Sequence, residues 1–520
     1  MTDRESDLST SKTRGWSVWD TAILLGLSLV GGFIRLLRVG DPHRFVFDEV
    51  YYAKEACYYA KSSLEVCKLD PSNNEVHPPL GKWLISRGIE AFDFTSTGYR
   101  IVPVVAGTIT IALLFLFARK ILASTLGAAV AAGALTIDPL HFVQSRTSML
   151  DVFVPLFGVA AFLFVAMDRD RLLRFLQDGR FKAARFGISG RPWRLAAGAV
   201  AGAAFASKWT GAFVIPAILA LTLTWELSAR RHTYGWVGAT KRIFLEEGLS
   251  ILLLLVVLPV AVYTFTYVGR ESVHGEVIAA PWSEESWFNS FWHEQYQMWD
   301  THSNNLDESS HSYQSPAWTW PLLKRPVSYA FCAGADCNPP EPSDHYKEIL
   351  ATGSPFVWWS ALLALVHVML NWLRKTSLGR PEGVILAGFV FSYVPWLLPS
   401  GRSAIFIFYF VATLPFMFLA LGYTASVLGR SWEASAAIAI FAVVAIGFFI
   451  FYYPILSNRP IYQKDWEQRL LFFDDAEQCA KPPGRDVTTT VTTTVDGSST
   501  TTASISDTSQ DKPPVGWCWI

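Results

Sequence analysis

About eleven apolar runs, each near the roughly 20 residues a helix needs to cross a bilayer, follow one another along this chain. The series constrains the fold more than any other feature. Lipid offers no partners for peptide N–H and C=O groups, so runs of this kind must be helices. They lie near 19–39, 98–118, 123–138, 150–168, 193–207, 209–229, 248–268, 354–373, 382–399, 404–426 and 434–453. Composition agrees: 51% of residues are hydrophobic and only 17% are charged, against about 25% charged in a soluble domain. An all-α integral membrane protein is expected, with the lipid bilayer as its first partner. A net charge of -1 and the lack of a basic stripe argue against nucleic acid. Residues 1–18 are polar and show no cleavage pattern, and the first run is too long for a signal-peptide core, so it reads as a retained anchor.

Charge sets the orientation. Arg169, Arg171, Arg174, Arg180, Lys182, Arg185, Arg191 and Arg194 crowd the loop 169–194. Arg230, Arg231, Lys241 and Arg242 mark a second loop, and Arg374, Lys375 and Arg380 a third. Positive loops stay in the cytoplasm. The N-terminus is then cytoplasmic, and 40–97, 139–149, 269–353, 400–403 and 454–520 lie outside. All six cysteines (Cys57, Cys67, Cys332, Cys337, Cys479, Cys518) fall in those outer segments, which fits an oxidising compartment. The favoured disulfides are 57–67, 332–337 and 479–518, one per segment, with free thiols the alternative.

The expected organisation is a cytoplasmic tail 1–18, a transmembrane catalytic domain 19–453 and an external tail 454–520. Within the domain, 40–97 is the first external loop and 269–353 an acidic, Trp-rich cap on the membrane surface. The stretch 486–510 is Thr- and Ser-rich, with little apolar surface to bury, and reads as a linker or as an acceptor in cis.

Chemistry is suggested by Asp48-Glu49, two adjacent carboxylates just past the first span. Charges beside a bilayer are costly and need a reason. A carboxylate can take the proton from a hydroxyl that attacks a sugar carbon. A lipid-linked phosphate already leaves well and needs cations as its charge builds. Cations and polar groups sit at outer span ends: Arg35, His77, Lys82, Arg100, Arg146, Asp151, Lys208 and Arg402. Each alone is more often a snorkelling anchor, a capped turn or a structural histidine.

Their order and context resemble a known family. Arg35, then Phe47-Asp48-Glu49, then His77-Pro78-Pro79-Leu80-Gly81-Lys82, then Arg146 to Asp151, then Lys208-Trp209 are similar to the protein O-mannosyltransferases. The stretch His302 to Arg325, with His311-Ser312-Tyr313 and Trp318 to Pro326, is similar to actinobacterial members, and the resemblance covers roughly 19–470. It implies a GT-C glycosyltransferase fold, with external loops capping the site. It also implies a polyprenyl-phosphate-mannose donor, Ser/Thr-rich exported acceptors, inversion at the anomeric carbon, and residence in a bacterial plasma membrane beside the protein-export machinery. By the same resemblance Asp48 is the base and Glu49 its support. Arg35, Lys82, Arg100, Arg146, Lys208 and Arg402 bind donor phosphate or brace the site. His77, Asp151, His311 and Tyr313 contact the acceptor or support the site. Eukaryotic relatives carry a β-trefoil MIR domain that the 269–353 loop is too short to hold, and no reticulum retrieval signal ends the chain.

Two alternatives stay open. Another GT-C enzyme moving an arabinose-type sugar would share the base and the cations. A transporter would place polar groups at the midplane, often in internal repeats, whereas these cluster at outer ends. No metal is expected to be required, since no spaced His/Cys cluster occurs, although a divalent ion on Asp48, Glu49, Asp151 and His77 is chemically conceivable.

Overall fold

A computed structural model describes residues 15–470 apart from 62, 69–75, 178–189, 269, 272–276, 279–285, 306–312, 375–378, 399–403 and 430, together with 490–495 and 498–503. Among the described residues, 7 helices are long and apolar enough to cross a membrane. They are Val18–Leu36, Ser96–Leu122, Leu150–Arg174, Trp209–Arg231, Thr233–Phe265, Pro355–Arg374 and Trp432–Leu456. Shorter helices at Thr125–Thr136, Pro192–Ser207, Pro381–Leu397 and Leu414–Leu428 fill the remaining apolar runs. The fold is therefore the expected multi-pass helical one.

Local chemistry fixes the helix ends. Ser17 and Asp20 form a capping box at the start of the first helix. Asp20 also accepts from Arg119 Nε and Thr125 Oγ1, both at 2.7 Å, which joins three helices at one end of the bundle. Thr95 caps the second long helix through the Gly98 N–H at 3.1 Å. Gly127 and Gly422 let two helices cross backbone to backbone. A Cβ on either would come within 2.7 or 2.3 Å of the other's carbonyl oxygen. Gly235, with φ of 66°, kinks the chain near the start of the Thr233–Phe265 span.

At the end away from Asp48, Arg191 and Arg194 are buried rather than free in a loop. Arg191 lies 2.9 Å from Glu226 and 2.8 Å from Glu247, and Arg194 lies 2.8 Å from Glu247 and 3.3 Å from Asp168. Arg230 joins Glu226 as well. These two of the loop cations thus neutralise buried carboxylates between helices, a demand that loop counting does not see.

On the Asp48 side an antiparallel sheet adds to the all-α expectation. Val327–Ala333 pairs with His345–Ala351, and that strand with Ile461–Tyr462; the first pairing slips register between Ser328 and Ala330. Cys332–Cys337 closes the turn after the first strand, and Cys57–Cys67 ties the helix Glu49–Lys61 to the short helix Leu64–Cys67. Both are expected pairs; Cys479 and Cys518 lie outside the described residues. Glu348 in the middle strand is buried and accepts from Trp466 Nε1 at 2.7 Å. Burial pushes its carboxyl up to about 7. Part of the Thr-rich tract pairs with itself, Thr490–Val495 against Ser498–Ala503.

Candidate active site

The first helix ends by handing its carbonyls to Arg146. The guanidinium donates to Ile34 O at 3.1 Å, Arg35 O at 2.9 Å, Leu37 O at 2.6 Å and Arg38 O at 3.2 Å. A helix leaves these carbonyls unpaired, and a cation there also meets the negative end of its dipole. Arg35 is equally committed. It donates to Ser145 Oγ at 2.7 Å, Gly31 O at 3.0 Å and Thr136 O at 3.1 Å, with His141 Nδ1 at 3.0 Å.

Beyond this cap the chain turns into the carboxylate pair. Phe47 has φ of 48°, the left-handed region, which costs an L-residue on the order of 1 kcal/mol. Its ring stacks on Tyr329 at 4.6 Å, nearly parallel. Glu49 holds the turn closed. Its carboxylate accepts from Arg100 Nε and a terminal Arg100 nitrogen, both at 2.8 Å, from Ser148 N–H at 2.8 Å and from Val46 N–H at 3.0 Å. Arg100 adds the carbonyls of Val39, Pro42 and Arg44 at 3.1, 3.0 and 2.8 Å. Glu49 and Arg100 are both sealed from solvent.

Asp48 is placed differently. It is half-buried, and its carbonyl accepts from the Tyr51 and Tyr52 N–H groups at the start of the helix Glu49–Lys61. Its carboxylate accepts from the Tyr52 hydroxyl at 3.3 Å. The Tyr52 ring lies 5.5 Å from His77, His77 lies 5.3 Å from His302, and His302 lies 5.5 Å from Trp209. His302 Nε2 also sits 2.8 Å from Val76 O. Burial, then the negative charge of Asp48, pushes the Tyr52 phenol well above its ordinary value. Burial and the charges of Asp151 and Asp48 do the same to Tyr329. Both phenols therefore keep their protons; Tyr52 donates to Asp48, and the Tyr329 hydroxyl accepts from Gln144 Nε2 at 2.8 Å.

Lys208 completes the floor. It follows the helix Pro192–Ser207, and Asp151 sits in the turn Leu150–Val152. The Lys208 ammonium lies 2.8 and 2.7 Å from the two Asp151 oxygens and 4.6 Å above the Tyr409 ring. A buried ammonium needs such partners to stay charged. From Tyr409 a narrow apolar crevice runs between helices past Trp396, Phe416, Phe162 and Val214. Lys82 is buried nearby in the helix Leu80–Phe92, 2.5 Å from Glu55. Tyr313 is buried in the hydrophobic core. Arg402 and His311 lie outside the described residues. Among the described residues no group of three or more His, Cys, Asp or Glu gathers where it could hold a metal ion.

The structure thus links Asp48 to His77 through Tyr52, which also feels the charge of the Asp151 that holds Lys208, while Arg100 and Arg146 grip the chain after the first helix and Arg35 ties that helix to Ser145 and His141. Tyr52, Tyr329, Tyr409 and His302 join the site without having been singled out in the sequence. Tyr52 was findable, being one helical turn after Asp48. His302 opens the stretch that resembles the actinobacterial members, whereas Tyr329 and Tyr409 carry no local signal and arrive through tertiary contacts.

Helical spans, an acidic turn at the mouth of the first and a buried cation beside it define a multi-pass membrane glycosyltransferase of the GT-C type. The Saccharomyces cerevisiae protein O-mannosyltransferase Pmt1-Pmt2 complex bound to the sugar donor shares the fold. Its TM-score is 0.69 at 16% identity, covering 90% of this chain and 94% of that one. A family profile described as dolichyl-phosphate-mannose-protein mannosyltransferase matches residues 23–274, and one described as the C-terminal four TMM region of protein-O-mannosyltransferase matches 287–474. The chain belongs to the protein O-mannosyltransferase family. The polyprenol-phosphate-mannose–protein mannosyltransferase of Mycolicibacterium smegmatis is 29% identical over 506 residues, 88% of this chain and 92% of that protein. The enzyme of the same description from Corynebacterium glutamicum is 27% identical over 436 residues, 78% and 82% of the two chains. The activity is transfer of mannose from polyprenol phosphate to protein. The arabinose-transfer and transporter readings fall away.

Proposed function

We propose that Asp48 is the general base of an inverting transfer to Ser or Thr hydroxyls of exported proteins, on the external face of a bacterial plasma membrane. One observation carries this. Of the two adjacent carboxylates, Glu49 spends its hydrogen bonds on Arg100, Ser148 and Val46, whereas Asp48 is half-buried and accepts from the hydroxyl of Tyr52, a phenol that also feels the charge of Asp151 and packs on His77.

In the proposed step an Asp48 oxygen takes the hydroxyl proton as that oxygen attacks the mannose anomeric carbon. The bond from that carbon to the phosphate oxygen breaks, and its electron pair leaves with polyprenyl phosphate. No general acid is required for such a leaving group. Lys208, fixed by Asp151 and Tyr409, offsets the charge that builds on phosphate. His77 and His302 line the acceptor side, with Tyr52 orienting Asp48. Arg35, Arg100 and Arg146 act as braces, and Glu49 as the positioning residue. The external placement rests on the positive loops at the opposite end and on the two disulfides on the Asp48 side.

The stereochemical part is tested by NMR of a mannosylated Thr-containing peptide made by the purified enzyme. The linkage should have the anomeric configuration opposite to the donor's. The donor's own configuration in the product would contradict direct displacement.

A further inference from the structure

The final long helix, Trp432–Leu456, packs well only over its half nearer the active site. Ala445, Phe449, Tyr452, Ile455 and Leu456 are buried there. Its other half stands off from the bundle and leaves an apolar cavity of about 470 Å³ against the helices Pro355–Arg374 and Leu414–Leu428. The walls are regular. The final helix offers Ala434, Ala437, Ile438 and Phe441, spaced three and four apart along one face. Leu363 and Leu428, which are 73% and 55% exposed, form the lip. The only hydrogen bond described among the lining side chains joins His367 Nδ1 and Thr424 Oγ1 at 3.0 Å.

The geometry points to a binding site for one acyl chain of a bilayer glycerophospholipid, with its phosphate at Arg374. Three observations select this occupant. First, the cavity lies between membrane-spanning helices and is lined almost wholly by apolar side chains, so a hydrocarbon chain fills it without leaving polar groups unpaired. Second, at the end nearer the active site the lining stops at Phe441, whose ring stacks on Phe356 at 5.0 Å, and Phe356 stacks in turn on Phe448 at 5.8 Å. On the function proposed above the donor brings its phosphate to Lys208, and neither Lys208 nor any residue packed against it lines this cavity. Third, Ser360, Ala364, His367, Asn371 and Arg374 follow one another at helical spacing along a single face. The lining therefore runs out to an exposed guanidinium at the helix C-terminus, the ordinary depth for a headgroup phosphate. Glu433, in the first turn of the final helix, lies at the same end and disfavours a headgroup of high negative charge. Phosphatidylethanolamine, with a phosphate and an ammonium, meets both charges.

Bound there, the chain would replace the missing half of a helix–helix interface and hold the final helix against the bundle. The site is separate from the chemistry and has no step in transfer.

The test is native mass spectrometry of the purified full-length protein titrated with 1-palmitoyl-2-oleoyl-phosphatidylethanolamine. Three variants are compared with wild type: Ala437→Trp from one wall, Leu363→Trp from the other, and Val443→Trp, whose side chain is 70% exposed and outside the cavity lining. Thermal unfolding of each variant checks that it folds. Wild type and Val443→Trp should retain one lipid through detergent exchange, and both cavity variants should hold it about tenfold more weakly, roughly 1.4 kcal/mol. Equal retention in either folded cavity variant and wild type would overturn the proposal. So would one-for-one displacement of the phospholipid by polyprenyl phosphate, because the cavity would then belong to the donor.

Discussion

Both Glu49 oxygens lie 2.8 Å from Arg100 nitrogens, and neither side chain reaches solvent. This pair joins the loop after the first span to the start of the second, and it commits Glu49 in a way that Asp48, its neighbour, does not share. Removing one partner leaves the other charge buried alone. Arg100→Ala should therefore lower unfolding free energy by about 3–5 kcal/mol, read by thermal or denaturant unfolding in a fixed detergent. Glu49→Gln keeps the shape and should cost less stability than Arg100→Ala, while lowering turnover through a misplaced Asp48. Equal stability of Arg100→Ala and wild type would remove the clamp.

Lys208 and Asp151 form another buried pair, and on the proposed function its ammonium faces the donor phosphate. Lys208→Met should lower the turnover number by about 10²–10³, the range seen when a donor to developing negative charge is removed. The apparent KM for the lipid donor should change less. The check is initial rate against donor concentration. A pure KM effect would assign Lys208 to ground-state binding instead.

Glu348 should make stability depend on pH. Its carboxyl is pushed up from 4.5 to about 7, so the folded chain keeps a proton that the unfolded chain gives up. That contribution is fully present below about 4.5 and is lost as pH rises toward 7, up to about 3 kcal/mol in all. Glu348→Gln should flatten the melting temperature over that window. An unchanged slope would mean that Glu348 is not the group responsible.

Mannose transfer should survive exhaustive chelation, because the proposed step uses a carboxylate base and a protein cation. Loss of activity restored by one divalent ion would require a metal in the mechanism.

Much of this architecture was legible in the chain because the bilayer enforces it. Apolar runs near one membrane thickness marked helices such as Ser96–Leu122 and Trp432–Leu456 to within a few residues. Local cysteine spacing marked 57–67 and 332–337. The roles of the cations were not legible. Arg35, Arg100, Arg146 and Lys208 look alike in sequence, each near a span end. Only the folded chain shows that Arg146 caps the carbonyls of Ile34, Arg35, Leu37 and Arg38, whereas Lys208 sits against Tyr409. Tyr329 was hidden for a related reason. It lies on a strand, in a region where helical periodicity gave no guide, and it reaches the site by stacking on Phe47 across more than half the chain.

The central claim is that Asp48 does chemistry while Glu49 does positioning. The most direct measurement pairs donor binding with transfer of labelled mannose from polyprenyl phosphate to a Thr-rich peptide, for Asp48→Asn and wild type. Asp48→Asn should bind donor within about twofold of wild type and lose at least about 10³ in transfer rate. Transfer at the wild-type rate in a folded Asp48→Asn enzyme would contradict the assignment.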